Sequence, residues 1–165
     1  MAGEIRRPNA LQKLLHRVVM WRPITEFFAS RLHRIDKAIM KLTNGKISGA
    51  GILGWPIIQI TTIGAKTKQP RTMPLIGVFD QEKIALVASS FGREHNPGWY
   101  YNLKAHPECD VYFNGCTERY MAHETTGEEY NRYWKLALSY YSGYEKYRQH
   151  AAHRHIPVML LEPVK

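Results

Sequence analysis

Apolar residues recur along this chain in two periods, and the change of period divides it. Over residues 1–45 the spacing is helical. Leu11, Leu14, Leu15, Val18 and Val19 make one stripe behind a basic tail at residues 1–8. Pro23 interrupts, and Phe28, Leu32, Ile35, Ile39 and Leu42 make a second stripe that stops at Asn44-Gly45. Residues 46–55 are Gly-rich and read as a loop. Beyond them the period shortens. Ile57 to Ile63, Thr72 to Phe79 and Ile84 to Ser89 read as strands, with Pro74 suggesting an edge or a bulge and Asp80 to Lys83 a turn. Asn96-Pro97 predicts a helix start, with Asn as N-cap and Pro at the first helical position, and the helix stops near His106-Pro107. Asn114-Gly115 joins Asp110–Phe113 to Thr117–His123 in a hairpin. Thr126 and Glu129 have capping-box spacing, and the helix they open carries Tyr130, Trp134, Ala137, Leu138 and Tyr141 on one face. Pro157 to Leu161 is a last strand.

The expected fold is therefore α+β: about six mostly antiparallel strands curled into a small barrel, with flanking short helices. At 165 residues this is one structural domain, in two parts: an N-terminal helical segment at residues 1–45 and the barrel at 46–165. The apolar stripes of the first part, flanked by Arg and Lys, suit a core or a membrane surface. Core packing is the ordinary use of such stripes, and a peripheral membrane contact stays open.

Charge narrows the partners. A net charge of +9 favours something anionic: nucleic acid, acidic lipid or a phosphorylated cofactor. The cations are spread along the chain, with no zinc-finger spacing and no helix-turn-helix signature, so nucleic acid is not indicated. Cys109 and Cys116 flank the hairpin turn. If Phe113 pairs with Cys116, Cys109 lies about 13 Å from Cys116 along the strand, too far for a disulfide. Two free thiols, no signal-peptide pattern and no run of about 20 apolar residues lead us to expect a cytoplasmic protein.

Three clusters could carry chemistry. The turn from Gly64 to Leu75 sets Lys66, Lys68 and Arg71 between two strands, where cations and backbone N–H groups together suit a phosphate. Ser89-Ser90-Phe91-Gly92 follows the third strand, and Asn96 to Leu103 opens the short helix. Ser89 has no His or Asp partner that the sequence identifies, so a nucleophilic role is not expected. Tyr141, Tyr144 and Tyr147 recur every three residues; on a helix all three could border one cavity, where their hydroxyls could orient or protonate an acceptor oxygen. From spacing alone, an amphipathic surface row is the simpler reading. His150, His153 and His155 lack acidic partners at ligand spacing, and no metal is expected. There is no G-x-S-x-G, P-loop or Rossmann fingerprint.

The chain resembles the deazaflavin-dependent nitroreductase family. The pattern G-x-K-(S/T)-x-x-P-R-x-x-P-L stands here as Gly64 to Leu75, and N-P-x-W-Y-x-N-L-x-A-x-P as Asn96 to Pro107. The tyrosine row and the terminal strand, Ile156 to Pro163, also match. The resemblance implies a split β-barrel that binds coenzyme F-420, a deazaflavin with a phosphodiester and an oligoglutamate tail. It assigns Lys66 and Arg71, with Thr67 and Lys68 beside them, to the phosphate and tail, and Pro74 and Leu75 to the ring system. Ser89 and Ser90 border the cofactor, as do Asn96, Trp99 and Asn102 of the second motif. Ser89 and Tyr144 become hydrogen-bond donors to the acceptor, with Tyr141 and Tyr147 shaping its pocket.

The implied activity is hydride transfer from reduced coenzyme F-420 to a quinone, a nitro compound or another conjugated acceptor, by a monomer or homodimer. The chain departs from the family pattern at Ala65, where some members carry a cation, and at Ser90, Phe91 and Gly92, where they carry a Lys and then Gly-Gly. Lys68 and Arg93 lie near enough in sequence to compensate, and Phe91 could narrow the site. Two other readings remain: a related split barrel that uses FMN, and a non-catalytic barrel that carries a hydrophobic or anionic ligand.

Overall fold

Strand β1 (Ile57–Ile63) alternates as a half-buried strand should, with Ile58, Ile60 and Thr62 turned inward. The computed structural model describes residues 55–164. The two helical stripes, the basic tail and nearly all of the Gly-rich loop expected ahead of β1 lie outside the described residues.

The six expected strands are seven. The stretch read as one strand from Thr72 to Phe79 is divided at Gly77 into β2 (Pro70–Ile76) and β3 (Val78–Asp80). The division has a steric cause. A β-carbon at Gly77 would lie 2.9 Å from Ile58 Cγ2, 3.1 Å from Phe79 Cε2 and 3.3 Å from Ile84 Cγ2, so only Gly lets the backbone turn this corner. The remaining strands are β4 (Lys83–Val87), β5 (Glu108–Phe113), β6 (Cys116–Glu124) and β7 (Val158–Pro163). Their order in the sheet is β2-β1-β5-β6-β7-β4-β3. The two edge strands are thus consecutive in the chain and meet at Gly77, which curls the sheet into a barrel. The pairings β1–β5, β5–β6, β6–β7, β7–β4 and β4–β3 are all antiparallel. This is the split β-barrel that the sequence leads one to expect.

Strands β4 and β7 explain why their sequences are apolar without alternation. Ile84, Leu86, Met159 and Leu161 face one core, inside the barrel, with Ile58, Ile60, Trp99 and Leu103. Ala85, Val87, Val158 and Leu160 face a second core, on the outside, under Tyr133, Trp134, Ala137 and Tyr144. A strand buried on both faces has no polar side to show. The hairpin β5–β6 turns through Asn114 (φ 50°) and Gly115 (φ 88°), both left-handed, and pairs Phe113 with Cys116. Cys109 is buried and Cys116 exposed, both as free thiols.

Three α-helices, with one 3-10 turn at Ser90–Gly92, complete the described residues: α1 (Gly98–Ala105), α2 (Gly127–Tyr140) and α3 (Gly143–His150). Two cap expectations fail. At α1 the N-cap is Pro97, without a side-chain cap bond, because Asn96 Oδ1 instead accepts from the Arg154 guanidinium, a charge-assisted partner. At α2 Thr126 holds the N-cap position but makes no cap bond, and Glu129 turns to His123 Nε2 at 3.2 Å. The predicted apolar face of α2 omitted Tyr133, which is 3% exposed and donates its hydroxyl to Asp80 Oδ2 at 3.1 Å. No described helix is long and apolar enough to cross a membrane.

Candidate functional site

The cationic turn between β1 and β2 is closed by its own backbone. Gly64 N–H donates to Gln69 C=O at 2.9 Å, and Lys68 N–H donates to Gly64 C=O at 2.9 Å. Lys68 takes a left-handed φ of 58° to permit this. Gly64 is required for closeness: a β-carbon there would sit 2.5 Å from Thr67 Oγ1 and 3.2 Å from Gln69 O. Lys66, Thr67, Lys68 and Arg71 are all exposed. Among the described residues no acidic side chain pairs with Lys66, Lys68 or Arg71. Lys68 Nζ lies 2.8 Å from His106 Nε2, which must be the acceptor because an ammonium only donates. Only Lys66 and Lys68 lie on this turn; Arg71, read from sequence as part of it, is the second residue of β2, because strand pairing begins at Pro70. Exposed cations without acidic partners at the turn and at the start of β2 suit a polyanionic group such as the phosphodiester and carboxylate tail of coenzyme F-420.

On β2, Arg71, Met73 and Leu75 share a face by strand periodicity. Met73 and Leu75 pack against the barrel core, so Arg71 stands at the rim of that face while Pro74 is exposed on the other.

Helix α1 holds the turn in place. Asn102 Nδ2 donates to Thr62 Oγ1 at 3.0 Å, and Ala65 N–H donates to Asn102 Oδ1 at 3.0 Å. Trp99, 4% exposed, anchors the same helix in the barrel core with Leu103.

The second cluster is built where β4 ends. Ser89 is half-buried, and Ser90, Phe91 and Gly92 follow at φ 48°, 57° and 78°, three left-handed residues in succession. Arg154 braces this turn at both ends. Its Nη2 donates to Ser89 C=O at 2.8 Å, its Nε to Arg93 C=O at 2.9 Å, and its Nη1 to Asn96 Oδ1 and to His155 C=O at 3.2 Å. Burial pulls its pKa down from the ordinary arginine value, but a guanidinium remains charged at any physiological pH.

The tyrosine row does come together, though not on one helix. Helix α2 ends at Tyr140, Tyr141 caps it in an extended conformation (φ −146°, ψ 101°), and α3 begins at Gly143. The break has a local cause: the Tyr141 ring folds over Gly143, where a β-carbon would overlap it. Tyr141 and Tyr147 hydroxyls lie 3.1 Å apart, and the Tyr144 ring sits edge-on to Tyr141 at 5.2 Å. Tyr144 is 5% exposed, so the three are a packed cluster rather than a surface row. Burial, with Tyr141 alongside, raises the pKa of Tyr144 and Tyr147 well above the ordinary tyrosine value, which keeps both hydroxyls protonated and able to donate. Helix α3 also packs on the Ser89–Gly92 turn. A β-carbon at Gly92 would meet His150 Cβ at 2.7 Å, and the Phe91 ring stands edge-on to Tyr147 at 5.8 Å.

The structure therefore joins Ser89 and Ser90 to the tyrosines through Phe91 and α3, and ties Asn102 to the Lys66 turn. Asn96 goes to Arg154 and Trp99 into the core. Sequence reading missed Arg154, whose partners are mainly backbone carbonyls that no side-chain pattern encodes. The neighbouring histidines drew attention instead; His155 packs its ring on Tyr130 at 4.6 Å. Among the described residues no three His, Cys, Asp or Glu side chains are gathered as a metal site.

A split barrel with a cationic turn, a hydroxyl-lined turn after its fourth strand and a packed tyrosine cluster has the make-up of a flavin-type oxidoreductase. This chain belongs to the F420H(2)-dependent quinone reductase family, whose pattern it matches over residues 32–163. It is 34% identical over 137 residues to an F420H(2)-dependent quinone reductase of Mycobacterium tuberculosis, covering 79% of this chain and 89% of that protein. A solved F420-H2 dependent reductase (FDR-A) is 39% identical, over 65% of this chain and 94% of its own, with a TM-score of 0.60. A solved domain-swapped dimer is 33% identical, over 84% of this chain and 98% of its own, with a TM-score of 0.62. The chain is thus an F-420-dependent reductase, and the alternative of FMN finds no support in these relatives.

Proposed function

We propose that this chain reduces a quinone with hydride drawn from reduced coenzyme F-420, and that nitro compounds and other conjugated acceptors enter the same site. The observation that carries this reading is the packing of α3 on the Ser89–Gly92 turn, which brings the Tyr147 hydroxyl's cluster to the turn that bears Ser89. The cofactor, when bound, supplies the hydride from its central ring. The protein supplies the rest. Lys66 and Arg71 take the phosphate and tail, and Thr67 and Lys68 complete the rim of that turn. Leu75 gives the ring system an apolar edge. Asn102 holds the turn at its working shape through Thr62 and Ala65.

On the acceptor side, charge develops on an oxygen as hydride arrives. Ser89 Oγ and the hydroxyls of Tyr144 and Tyr147, which burial keeps protonated, are the donors suited to meet it. A donor already protonated and already oriented needs little reorganisation at that moment. Tyr141 and Tyr147 share a hydrogen bond, so one hydroxyl polarises the other. The homodimer form of this reading draws on the solved domain-swapped relative.

The test is a fluorescence titration of the protein with F-420, with FMN in parallel and the Lys66→Ala/Arg71→Ala variant as control. Micromolar F-420 binding that the double variant loses, together with quinone-dependent oxidation of the reduced cofactor, supports the reading. Binding without turnover of any quinone or nitro compound would leave a carrier barrel in its place.

A further inference from the structure

Phe91 is 69% exposed, yet its backbone sits at φ 57° and ψ 27°. That region strains any residue with a β-carbon, and a bulky aromatic more than most. Exposing a phenyl ring to water adds a second unfavourable term. A glycine at this position would remove both. The fold does not merely tolerate the arrangement. Ser90 and Gly92 are left-handed on either side, Gly92 is pressed against His150 of α3, and Arg154 ties the turn's entry at Ser89 C=O to its exit at Arg93 C=O and Asn96. One guanidinium spans a loop that would otherwise relax. What the brace holds in place is the Phe91 ring, edge-on to Tyr147.

We propose that Phe91 is an acceptor-selecting residue and Arg154 its positioning residue. The Phe91 ring extends the tyrosine cluster into a wall against which a flat conjugated acceptor lies, and its position sets the width of acceptor that is favoured. Arg154 touches no substrate and acts through the turn. The inference rests on the reductase reading above. It concerns the acceptor half of the site: Lys66, on the turn after β1, and Arg71, at the start of β2, belong to other elements than the Ser89–Gly92 turn.

The recognition chemistry follows from the ring. An offset or edge-on contact between Phe91 and a quinone ring rewards planarity and area, so a two-ring naphthoquinone gains more than a one-ring benzoquinone. A lysine at position 154 has a compact ammonium that cannot reach Ser89 C=O, Arg93 C=O and Asn96 Oδ1 together, so the brace needs the planar fork of arginine.

The experiment compares the wild-type chain with Phe91→Gly, Arg154→Lys and the double variant. The readouts are melting temperature, F-420 dissociation constant, steady-state constants for a benzoquinone and a naphthoquinone, and quenching of intrinsic fluorescence by each quinone without cofactor. Phe91→Gly should melt at or above the wild-type temperature, because strain is relieved. It should keep its F-420 affinity within about twofold and raise the naphthoquinone KM about three- to tenfold, with a smaller change for the benzoquinone. Naphthoquinone quenching should weaken in step. Arg154→Lys should shift the same preference, and the double variant should prefer naphthoquinone over benzoquinone no less than Phe91→Gly does, since any effect of the brace on Ser89 falls on both quinones alike. An unchanged quinone preference in Phe91→Gly, a parallel loss of melting temperature and F-420 affinity, or additive effects on the quinone preference in the double variant would each overturn the proposal. A wild-type chain that binds F-420 but reduces no quinone overturns the quinone-acceptor reading itself, and this inference with it.

Discussion

Asn102 is hydrogen-bonded to Thr62, 40 residues earlier in the chain, at 3.0 Å, and the same amide accepts the Ala65 N–H at 3.0 Å. One side chain on α1 thereby fixes both the last inward residue of β1 and the first residue after Gly64 in the cationic turn. Thr62 is fully buried, so its hydroxyl depends on this partner and on a long contact to Arg71 C=O at 3.5 Å.

Replacing Asn102 tests that clamp. Asn102→Leu leaves a buried hydroxyl and a turn N–H without their partner and should cost about 2–3 kcal/mol of stability, read as a lower urea midpoint. Asn102→Asp keeps an acceptor for Ala65 N–H, and Thr62 can turn to donate to the carboxylate. It should lose less stability, yet weaken anion binding at the turn because it sets a negative charge among Lys66, Lys68 and Arg71. If the two variants lose F-420 affinity only in proportion to their loss of stability, Asn102 is a core bond and nothing more.

How far the sequence could be read depends on where each element's information lies. β1 was legible to the residue, because its alternation is local. The hairpin was legible because Asn114-Gly115 carries its own conformational preference, and the turn after β1 because charged residues between two apolar runs stay exposed; its end was placed too late, since β2 pairs from Pro70 onward. The corner at Gly77 was not, since what forbids a side chain there is Ile58 and Ile84, on the two strands that the corner brings together. Asn96 and Glu129 fit their cap patterns, and tertiary partners, Arg154 and His123, took them instead. The tyrosine row was visible as a spacing of three, but a helix was the wrong device; the break at Gly143 turns the rings together.

The tyrosines predict an alkaline limb. Burial first, and the Glu124 carboxylate second, push Tyr100 up from 10 to about 12; burial and then Glu118 do the same to Tyr120. Tyr144 and Tyr147 move in the same direction. The folded state therefore holds these protons more tightly than the unfolded chain. The stability they contribute is complete below pH 10 and falls as pH rises toward 12. Tyrosinate absorbance should rise in two stages, with the second coinciding with loss of structure by circular dichroism. A single stage near pH 10, with the fold intact, would contradict the burial of this cluster.

The two cysteines should differ sharply as thiols. Cys116 is exposed beside the hairpin turn, while burial, with Asp110 adjacent, pushes Cys109 up to about 12. Only a thiolate reacts with a disulfide reagent. One equivalent should therefore react promptly at neutral pH, and the second only after denaturant is added. Cys116→Ser should abolish the fast phase and leave the slow one. Prompt reaction of both thiols in the native protein would mean that the β5–β6 hairpin opens readily.

Two glycines give opposite expectations for one added methyl group. Gly77 turns the corner between β2 and β3, and a β-carbon there meets side chains from β1, β3 and β4 at 2.9 to 3.3 Å. These neighbours are branched or aromatic and largely buried, so they have little room to yield; Gly77→Ala should cost about 1–3 kcal/mol. Gly98, the first residue of α1, has nothing within 4 Å of such a carbon. There the dominant effect is the entropy of the unfolded chain, and Gly98→Ala should stabilise by about 0.5 kcal/mol. Urea unfolding of the two variants beside the wild type reads both signs at once. The contrast matters for the site as well as the fold, because Gly77 lies two residues beyond Leu75. If the corner shifts, the face that carries Arg71, Met73 and Leu75 shifts with it, so Gly77→Ala should also weaken F-420 binding. Gly98→Ala, by contrast, should leave it unchanged. A Gly77→Ala protein as stable as wild type would mean that the corner between β2 and β3 packs more loosely on Ile58 and Ile84 than these distances allow.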